Sequence, residues 1–236
     1  MNRDSLGDRM KGYESISKTH LMKRTPVIIR LDGKAFHTFT RGLIKPFDKV
    51  MVNTMIDTTY DLCRNIQGCV FGYTQSDEIT LVLCDYQTLE TAAWFDYQVQ
   101  KMCSVAASMC TMYFNKNFRY WVDHFKSTMT DTASNRKYLE VLQNKLDKAM
   151  FDARCFNIPK EEVTNCVLWR QNDATRNSIQ SVGQFYFSHK ELQHKSCDEI
   201  QELLFTQRGI NWNNFPTHLK RGTCVIKKET DKLIIN

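Results

Sequence analysis

The stretch 72-GYTQSDEITLVL-83 places two acidic residues, Asp77 and Glu78, where a turn runs into an apolar strand. The residues before Asp77 are typical of a tight turn, and the apolar run 79–83 is suited to a buried strand. A carboxylate beside an apolar core is costly unless a positive charge compensates it. The pattern therefore predicts a cation or a basic group at this turn.

A second acidic motif, 27-VIIRLDGKAFH-37, lies upstream and also follows an apolar run. Residues 26–31 predict a strand that ends at Asp32. If this strand lies beside the hairpin that contains Asp77, the two carboxylates come close together and one of them would take up a proton. Mg²⁺ between them would keep both ionised, because carboxylate oxygens are hard ligands of the kind that Mg²⁺ prefers.

The two carboxylates favour a two-metal site for phosphoryl transfer, with a second Mg²⁺ about 4 Å from the first. Gly33 has no side chain, so its carbonyl is open to a metal and its backbone to a phosphate. Neighbouring strand residues point to opposite faces, so Asp77 is the predicted ligand and Glu78 a supporting or structural residue. Taken singly, the DG and QSDE motifs are also typical of plain turns, but their placement at adjacent strand ends favours the metal site.

The hydrophobic pattern predicts an α+β fold. The predicted elements are a strand at 26–31, a helix at 47–67, strands at 69–73 and 78–84, a helix at 88–114 and a strand at 151–158. This is the ferredoxin-like order β-α-β-β-α-β, which polymerase palms, nucleotide cyclases and RNA-binding RRM modules share. The topology alone does not choose among those functions.

The second predicted helix has an apolar stripe that we assign to core packing. Its members are Phe95, Val99, Met102, Ala106, Met109 and Tyr113. The stretch 115–136, which mixes polar and aromatic residues, is interpreted as an excursion from the core.

Residues 159–236 are predicted to form a helical and β-strand extension packed on a palm-like catalytic domain at 1–158. The predicted elements of the extension are a helix at 160–180, a helix opened by a capping box at Ser188–Glu191 or Ser196–Glu199, and two strands within 219–236.

The composition predicts a globular cytoplasmic protein that does not enter a membrane. Among the 236 residues, no apolar run approaches the ~18 residues of a membrane span. The polar N-terminus has no apolar signal core. The nine cysteines include no C-x-x-C pair, so zinc binding is not expected. Cys63, Cys84, Cys103, Cys110 and Cys166 fall in apolar stretches and are expected to be small buried residues in a reducing compartment.

The net charge of +6 is a mild bias toward polyanions. Four basic residues, Arg30, Lys34, Arg41 and Lys45, surround the first acidic motif and could hold phosphates there. For any one of them the alternative is an ordinary solvated surface position. For Arg30 in particular, neutralising charge near the site and solvating the strand end are equally open.

Five motifs that occur in order resemble the tRNA-His guanylyltransferase family, and within it the guanylyltransferase-like branch of 3′–5′ RNA polymerases. They are 30-RLDGKAFHTF-39, 45-KPFD-48, 72-GYTQSDE-78, 168-LWRQND-173 and 211-NWNNFPTHLKRGT-223. The resemblance implies a polymerase-like palm and a homotetramer built as a dimer of dimers. It also implies a Mg²⁺-dependent nucleotidyltransferase that adds nucleotides to the 5′ end of a tRNA, with GTP and ATP as substrates.

By motif position, the resemblance implies that Asp32 and Asp77 are catalytic residues and metal ligands, together with the carbonyl of Gly33. The implied nucleotide-binding residues are Asp32, Gly33, Lys34, Ala35, Phe36, His37, Lys45, Ser76, Asp77 and Lys101. Asp173 and Asn177 correspond to a polar patch that supports nucleotide and tRNA placement.

Two positions resemble the guanylyltransferase-like branch more than the strict tRNA-His enzymes. Thr175 lies where those enzymes carry a histidine, and Phe47 replaces an asparagine. The branch repairs truncated tRNA 5′ ends by templated addition, so template-dependent repair is implied beside or instead of guanosine addition to tRNA-His.

Two functions of other classes use the same topology. A nucleotide cyclase would use Asp32 and Asp77 but would need no RNA. A non-catalytic RRM module would expose aromatic residues on its strands, and the sequence contains no such run. An acidic pair without metal would also repel RNA phosphates, so the nucleotidyltransferase is favoured.

Overall fold

The computed structural model describes residues 5–227, which form a mixed helix-and-sheet fold. Its five strands are β1 Val27–Gly33, β2 Cys69–Gln75, β3 Glu78–Leu83, β4 Phe151–Asn157 and β5 Thr223–Ile226. They form one sheet in the order β4-β1-β3-β2-β5, and every neighbouring pair is antiparallel.

Nine α-helices occur in this described part of the chain. They are α1 Ser5–Ser15, α2 Phe36–Phe39, α3 Lys49–Asn65, α4 Val99–Thr128, α5 Ala133–Gln143, α6 Val163–Tyr186, α7 His189–Leu192, α8 Cys197–Arg208 and α9 Thr217–Arg221. Short 3₁₀ helices lie at Trp94–Tyr97, Lys160–Glu162 and Trp212–Asn214. The predicted α+β class is confirmed, and β1, α3, β2, β3, α4 and β4 follow one another in the predicted order, with α2 and α5 added.

The two faces of the sheet have different partners, because successive strand residues point to opposite sides. Ile29 and Leu31 of β1 belong to the main core, with residues of α3 and α4. Ile28 of β1 belongs instead to a smaller cluster with Val82 and Cys166 of α6. The second face is therefore covered in part by α6, and it carries the polar residues of the candidate site.

The prediction for the second long helix was wrong at both ends. The helix begins at Val99 and not at residue 88, since Phe95 and Asp96 have left-handed φ angles of 50° and 53°. It continues to Thr128, so the stretch 115–136 is not an excursion from the core. Its buried residues at four-residue steps are Met102, Ala106, Cys110, Phe114, Phe118 and Val122. Met109 and Tyr113 are only partly buried beside this stripe.

The C-terminal elements differ from the prediction in the tail. Both capping boxes form, at Ser188–Glu191 and Ser196–Glu199, and they open α7 and α8. The tail was predicted as two strands, but its first residues belong to α9, and strand β5 follows within the described residues. The remainder of that prediction, 228–236, lies outside the described residues.

The proposed boundary at 158/159 falls just after β4, while β5 of the extension pairs with β2 and so completes the same sheet. None of the described helices combines the length and apolar character that crossing a membrane would require.

Candidate active site

Two acidic residues meet where β1 ends beside the β2–β3 turn. The backbone N–H of Gly33 donates to the carbonyl oxygen of Asp77 at 3.1 Å, which holds the turn against the end of β1. In the strand register, Asp32 lies opposite Glu78 of β3 and opposite Asp152 of β4. The fold therefore gathers four carboxylates around the end of β1.

The electrostatic environment disfavours ionisation of the central pair. Burial raises the pKa of Asp77, and the nearby charges of Asp32 and Glu78 raise it further. Burial, Asp152 and Glu78 likewise raise the pKa of Asp32. Within residues 5–227, neither Asp32 nor Asp77 forms an ion pair with a basic side chain. Arg154 and Arg30 offset part of this effect at Asp32, but neither forms an ion pair with it in the described part of the chain.

This donor set fits a hard divalent cation. Two carboxylates and a backbone carbonyl are oxygen ligands of the kind that Mg²⁺ takes together with substrate phosphates and water. In the described part of the chain, no three His, Cys, Asp or Glu side chains are grouped so that they could hold a metal by themselves. A cation bound here would be held by the carboxylates of Asp32 and Asp77 and by the carbonyl of Gly33, and its remaining ligands would come from the substrate or from water.

Glu78 has a different environment from the neighbouring aspartates. Its carboxylate is only 7% exposed and accepts from Arg30 at 2.8 Å and from Arg170 of α6 at 2.9 Å. The guanidinium carbon of Arg170 lies over the ring of Trp169, 3.7 Å from the ring centroid. The two arginines compensate the negative charge of Glu78, and the Arg170–Glu78 ion pair links α6 to the sheet. Of the two roles open for Arg30, the structure shows charge neutralisation.

The loop after β1 is anchored by one aromatic residue. The ring of Phe36 is buried and packs so closely on Gly33 that a Cβ there would lie 2.3 Å from the ring. Ala35 has a left-handed φ of 55°, a conformation that costs a residue with a side chain about 1 kcal/mol or more. Lys34, Ala35 and His37 are exposed around this anchor. Among the predicted loop residues, Phe36 is thus a core residue, and Lys34 and His37 can reach a ligand.

A cleft of ≈ 200 Å³ lies beside the β2–β3 turn. It brings together Lys45 and Ser76, which were predicted to bind the nucleotide, and Asn177, which was predicted to support nucleotide and tRNA placement. Ser76 is exposed at the tip of the turn with a left-handed φ of 51°. The cleft is closed by α3, by α6 and by the segment from α9 to β5.

The Asp32–Asp77 pair and the loop at 33–37 do not line the cleft, and neither do Lys101 and Asp173. Lys101 is near the start of α4, with its ammonium 4.8 Å from the ring centroid of Phe95. The hydroxyl of Thr111 in α4 accepts from the backbone N–H of Phe151, which lies opposite Gly33, so Thr111 marks the site end of the sheet. Lys101 precedes Thr111 by about ten residues of helix and therefore lies about 15 Å away along the helix axis. Asp173 does not line the cleft, and its carboxylate pairs with Arg170 at 3.4 Å and with Arg176.

Several site residues were missed from the sequence. Asp152 was missed although it lies in a predicted strand, because its register with Asp32 is a long-range property. Arg170 belongs to a motif already identified, but a single arginine has no sequence signal for a buried partner. His218, Gly222 and Thr223 line the cleft from the C-terminal side, inside the last family motif.

A carboxylate pair beside a cleft with an exposed lysine and a serine combines ligands for a hard cation with groups that can bind an anion. The family model described as Thg1: tRNAHis guanylyltransferase matches residues 7–159. The chain belongs to this family, and the family is one of nucleotidyltransferases.

Solved structures of the family have the same fold. A bacterial tRNA(His) guanylyltransferase (Thg1)-like protein in complex with ATP is 41% identical, with a TM-score of 0.82 and coverage of 95% of this chain and 89% of that one. Another structure, the bacterial Thg1-like protein in complex with GTP, is 38% identical, with a TM-score of 0.76 and coverage of 97% and 87%. The tRNA(His) guanylyltransferase of Saccharomyces cerevisiae is 26% identical over 92% of this chain and 90% of its own length.

Proposed function

We propose that this protein is a Mg²⁺-dependent nucleotidyltransferase that adds nucleotides to the 5′ end of a tRNA in the 3′–5′ direction. The observation that carries this proposal is the adjacency of the Asp32–Asp77 pair to the cleft lined by Lys45, Ser76 and Asn177. Family membership supplies the reaction class, and the site supplies the groups that such a reaction needs.

The metal part of the proposal rests on two adjacent carboxylates that form no ion pair within residues 5–227. Asp32, Asp77 and the Gly33 carbonyl would hold Mg²⁺, whose charge would offset both the burial and the carboxylate repulsion that raise the pKa of each aspartate. Bound Mg²⁺ supplies charge neutralisation at the phosphates and activation of the attacking hydroxyl. Glu78, already paired with two arginines, supports the site and is not a ligand.

The nucleotide part rests on the cleft. The exposed ammonium of Lys45 suits a phosphate as a point charge, while Ser76 and Asn177 offer hydrogen bonds to the same ligand. Lys34 and His37 are exposed on the loop at the end of β1. In the proposed reaction, a tRNA 5′-phosphate first attacks the α-phosphorus of a nucleoside triphosphate and releases pyrophosphate, unless the tRNA already carries a 5′-triphosphate. The 3′-hydroxyl of the incoming nucleotide then attacks the phosphorus attached to the tRNA 5′ oxygen. A phosphodiester bond forms, the hydroxyl proton is lost, and the activating nucleoside monophosphate or pyrophosphate leaves. ATP and GTP are the proposed substrates, since the bacterial relatives bind them.

Template-dependent repair of the 5′ end is the favoured form of this activity. The hydroxyl of Thr175 donates to the carbonyl of Gln171 within its own helix, so it is not directed toward a base. Phe47 packs against Phe215, with 5.7 Å between ring centroids, and presents no polar group. The higher identity to the bacterial Thg1-like proteins than to the yeast guanylyltransferase supports the same branch.

We extend the proposal to the architecture. The unit at 1–158 would act as a polymerase palm and 159–236 as an extension that completes the cleft, in keeping with the part of the cleft lined by α6 and α9. A homotetramer built as a dimer of dimers is expected from the family resemblance. Light scattering at several protein concentrations would test that assembly.

The deciding experiment uses a labelled tRNA that lacks its first nucleotide, incubated with Mg²⁺ and each nucleoside triphosphate in turn. Elongation only by the nucleotide complementary to the opposing base would support templated repair. Addition of one guanosine regardless of that base, and only to tRNA-His, would replace repair by dedicated guanylylation. If no RNA is extended but nucleotide is consumed without RNA, the nucleotide cyclase replaces the proposal.

A further inference from the structure

Three basic side chains converge outside the cleft, and we name Arg41, Lys145 and Lys148 the basic patch. Arg41 follows α2, and the two lysines lie in the loop between α5 and β4. The ammonium of Lys145 lies 5.5 Å from the ring centroid of Phe39 in α2, which brings that loop to α2. Partial burial and the charges of Arg41 and Lys148 lower the pKa of Lys145, so both cations lie close enough to repel its ammonium.

The patch has no internal compensation. Among residues 5–227, no carboxylate lies within the 4.0 Å of an ion pair from the charged nitrogens of these three side chains. Asp147, between the two lysines in sequence, pairs with Arg119. Asp48, which attracts Lys145 weakly, is buried and accepts from the hydroxyl of Tyr138.

The patch is connected to the candidate active site through packed rings. Phe39 stacks on Phe36 with 4.8 Å between centroids, and Phe36 packs on Gly33. The backbone N–H of Lys34 donates to the carbonyl of Met150 at 2.9 Å, and this bond holds the loop between α5 and β4 against the end of β1. The three patch residues do not line the cleft. A triphosphate seated in the cleft would therefore leave the patch unoccupied.

We propose that the basic patch binds the phosphodiester backbone of the RNA whose 5′ end is extended at Asp32 and Asp77. Like charges held together without an ion-paired acid are unfavourable by themselves, and a polyanion that releases its own counterions on binding there reverses that cost. This inference rests on the proposed function and deepens it, because it assigns a separate surface to the RNA and leaves the cleft to the nucleotide.

The test is the salt dependence of RNA binding by the triple variant Arg41→Ala/Lys145→Ala/Lys148→Ala. Its affinity for a short RNA hairpin is measured by fluorescence anisotropy over a series of salt concentrations, without nucleotide or Mg²⁺. Loss of three phosphate contacts should weaken binding by about 10- to 100-fold at low salt and reduce the slope of log K against log salt by about 2–3. Affinity for ATP and GTP should stay within about twofold, since phosphate contacts made only by RNA are lost.

The matched control is Lys11→Ala/Lys190→Ala/Lys195→Ala, which removes the same charge from exposed positions on other parts of the chain. If the slope of log K against log salt is the same for the Arg41→Ala/Lys145→Ala/Lys148→Ala variant as for this control, the proposal is overturned. Equal losses for RNA and for ATP would also overturn it and assign the patch to the triphosphate. If the triple variant does not fold, Lys148→Gln alone should lower the slope by about 1, and an unchanged slope would overturn the proposal. A wild type that binds the hairpin with the expected slope but extends no tRNA would refute only the proposed function.

Discussion

Arg170 of α6 donates to both carboxylate oxygens of Glu78, at 2.9 Å and 3.3 Å. The two residues are 92 positions apart in the chain, and both are almost fully buried. Asn177 lies seven residues after Arg170, hence on the same face of the helix, and it reaches the cleft. The pair therefore does two things: it neutralises the acid next to Asp77, and it sets where α6 meets the site.

Replacement of Arg170 by Met should destabilise the protein strongly. Glu78 would lose one of two buried cationic partners, and such a loss typically lowers the free energy of unfolding by about 3 kcal/mol. Urea unfolding followed by circular dichroism measures the change. The control is Arg176→Met, which removes the exposed partner of Asp173 and should cost less than about 1 kcal/mol. Equal losses for both variants would contradict the role given to the buried pair.

Replacement of Asp77 by Asn should abolish nucleotide addition without unfolding the protein. In metal-free buffer the melting temperature should rise, by roughly 2–4 °C for each 1 kcal/mol of repulsion removed. Mg²⁺ should raise the melting temperature of the wild type and not that of the variant. The exposed Asp131→Asn serves as the control and should behave as the wild type. Near-normal turnover in Asp77→Asn would eliminate the metal assignment.

The same carboxylate predicts a pH dependence of stability in the absence of metal. Burial and the charge of Asp32 raise the pKa of Asp77 above 3.8, so the folded state holds this proton more tightly than the unfolded state does. The resulting stability is complete below pH 3.8 and is lost as the pH rises through the raised pKa. Urea midpoints across this range should show this decrease in the wild type, superimposed on the titration of the other acids. The Asp77→Asn variant should lack the part of this decrease that comes from Asp77. Identical pH profiles of the urea midpoint in the wild type and the variant would contradict the prediction.

Replacement of Lys45 by Ala should weaken nucleotide binding more than stability. The ammonium is exposed at the cleft, so its loss removes a phosphate contact and little packing. A charge-assisted contact of about 1.5–3 kcal/mol corresponds to roughly 10- to 100-fold in ATP affinity. The control is Lys49→Ala, which lies at the start of α3 outside the cleft lining. A large melting shift with unchanged affinity would assign Lys45 to the structure.

Replacement of Gly33 by Ala should disturb the site through packing. The added Cβ would lie 2.3 Å from the ring of Phe36, so the ring or the loop must move, at a cost of about 1–3 kcal/mol. Activity should fall even at temperatures where the variant stays folded. Gly12→Ala is the control, because no atom lies within 4 Å of its added Cβ in α1. Melting curves and single-turnover assays on both variants test this prediction. If Gly33→Ala keeps the melting temperature and activity of the wild type, the close packing of Phe36 on Gly33 is refuted.

The parts of the fold that sequence predicts well are those set by local pattern. The strands of β1 and β3 follow from apolar runs, and the capping boxes follow from residues three apart. The start of α4 was misplaced because Phe95 continues the apolar period although its backbone is left-handed. Its later half was missed because the exposed polar residues hide Phe118 and Val122, which pack only once α4 lies on the sheet.

The sequence by itself determined the family, the order of the first four strands along the chain and the two acids whose adjacency defines the candidate site. Those features depend on contiguous motifs, whose residue types and spacing are present in the unfolded chain. Only the tertiary structure decided which acid is compensated, since Glu78 meets Arg170 through a register and a helix position far apart in sequence. It also decided that Lys101 lies away from the site and that His218 lines the cleft. Burial and charge compensation arise from contacts between distant segments, and those contacts exist only after the helices pack on the sheet.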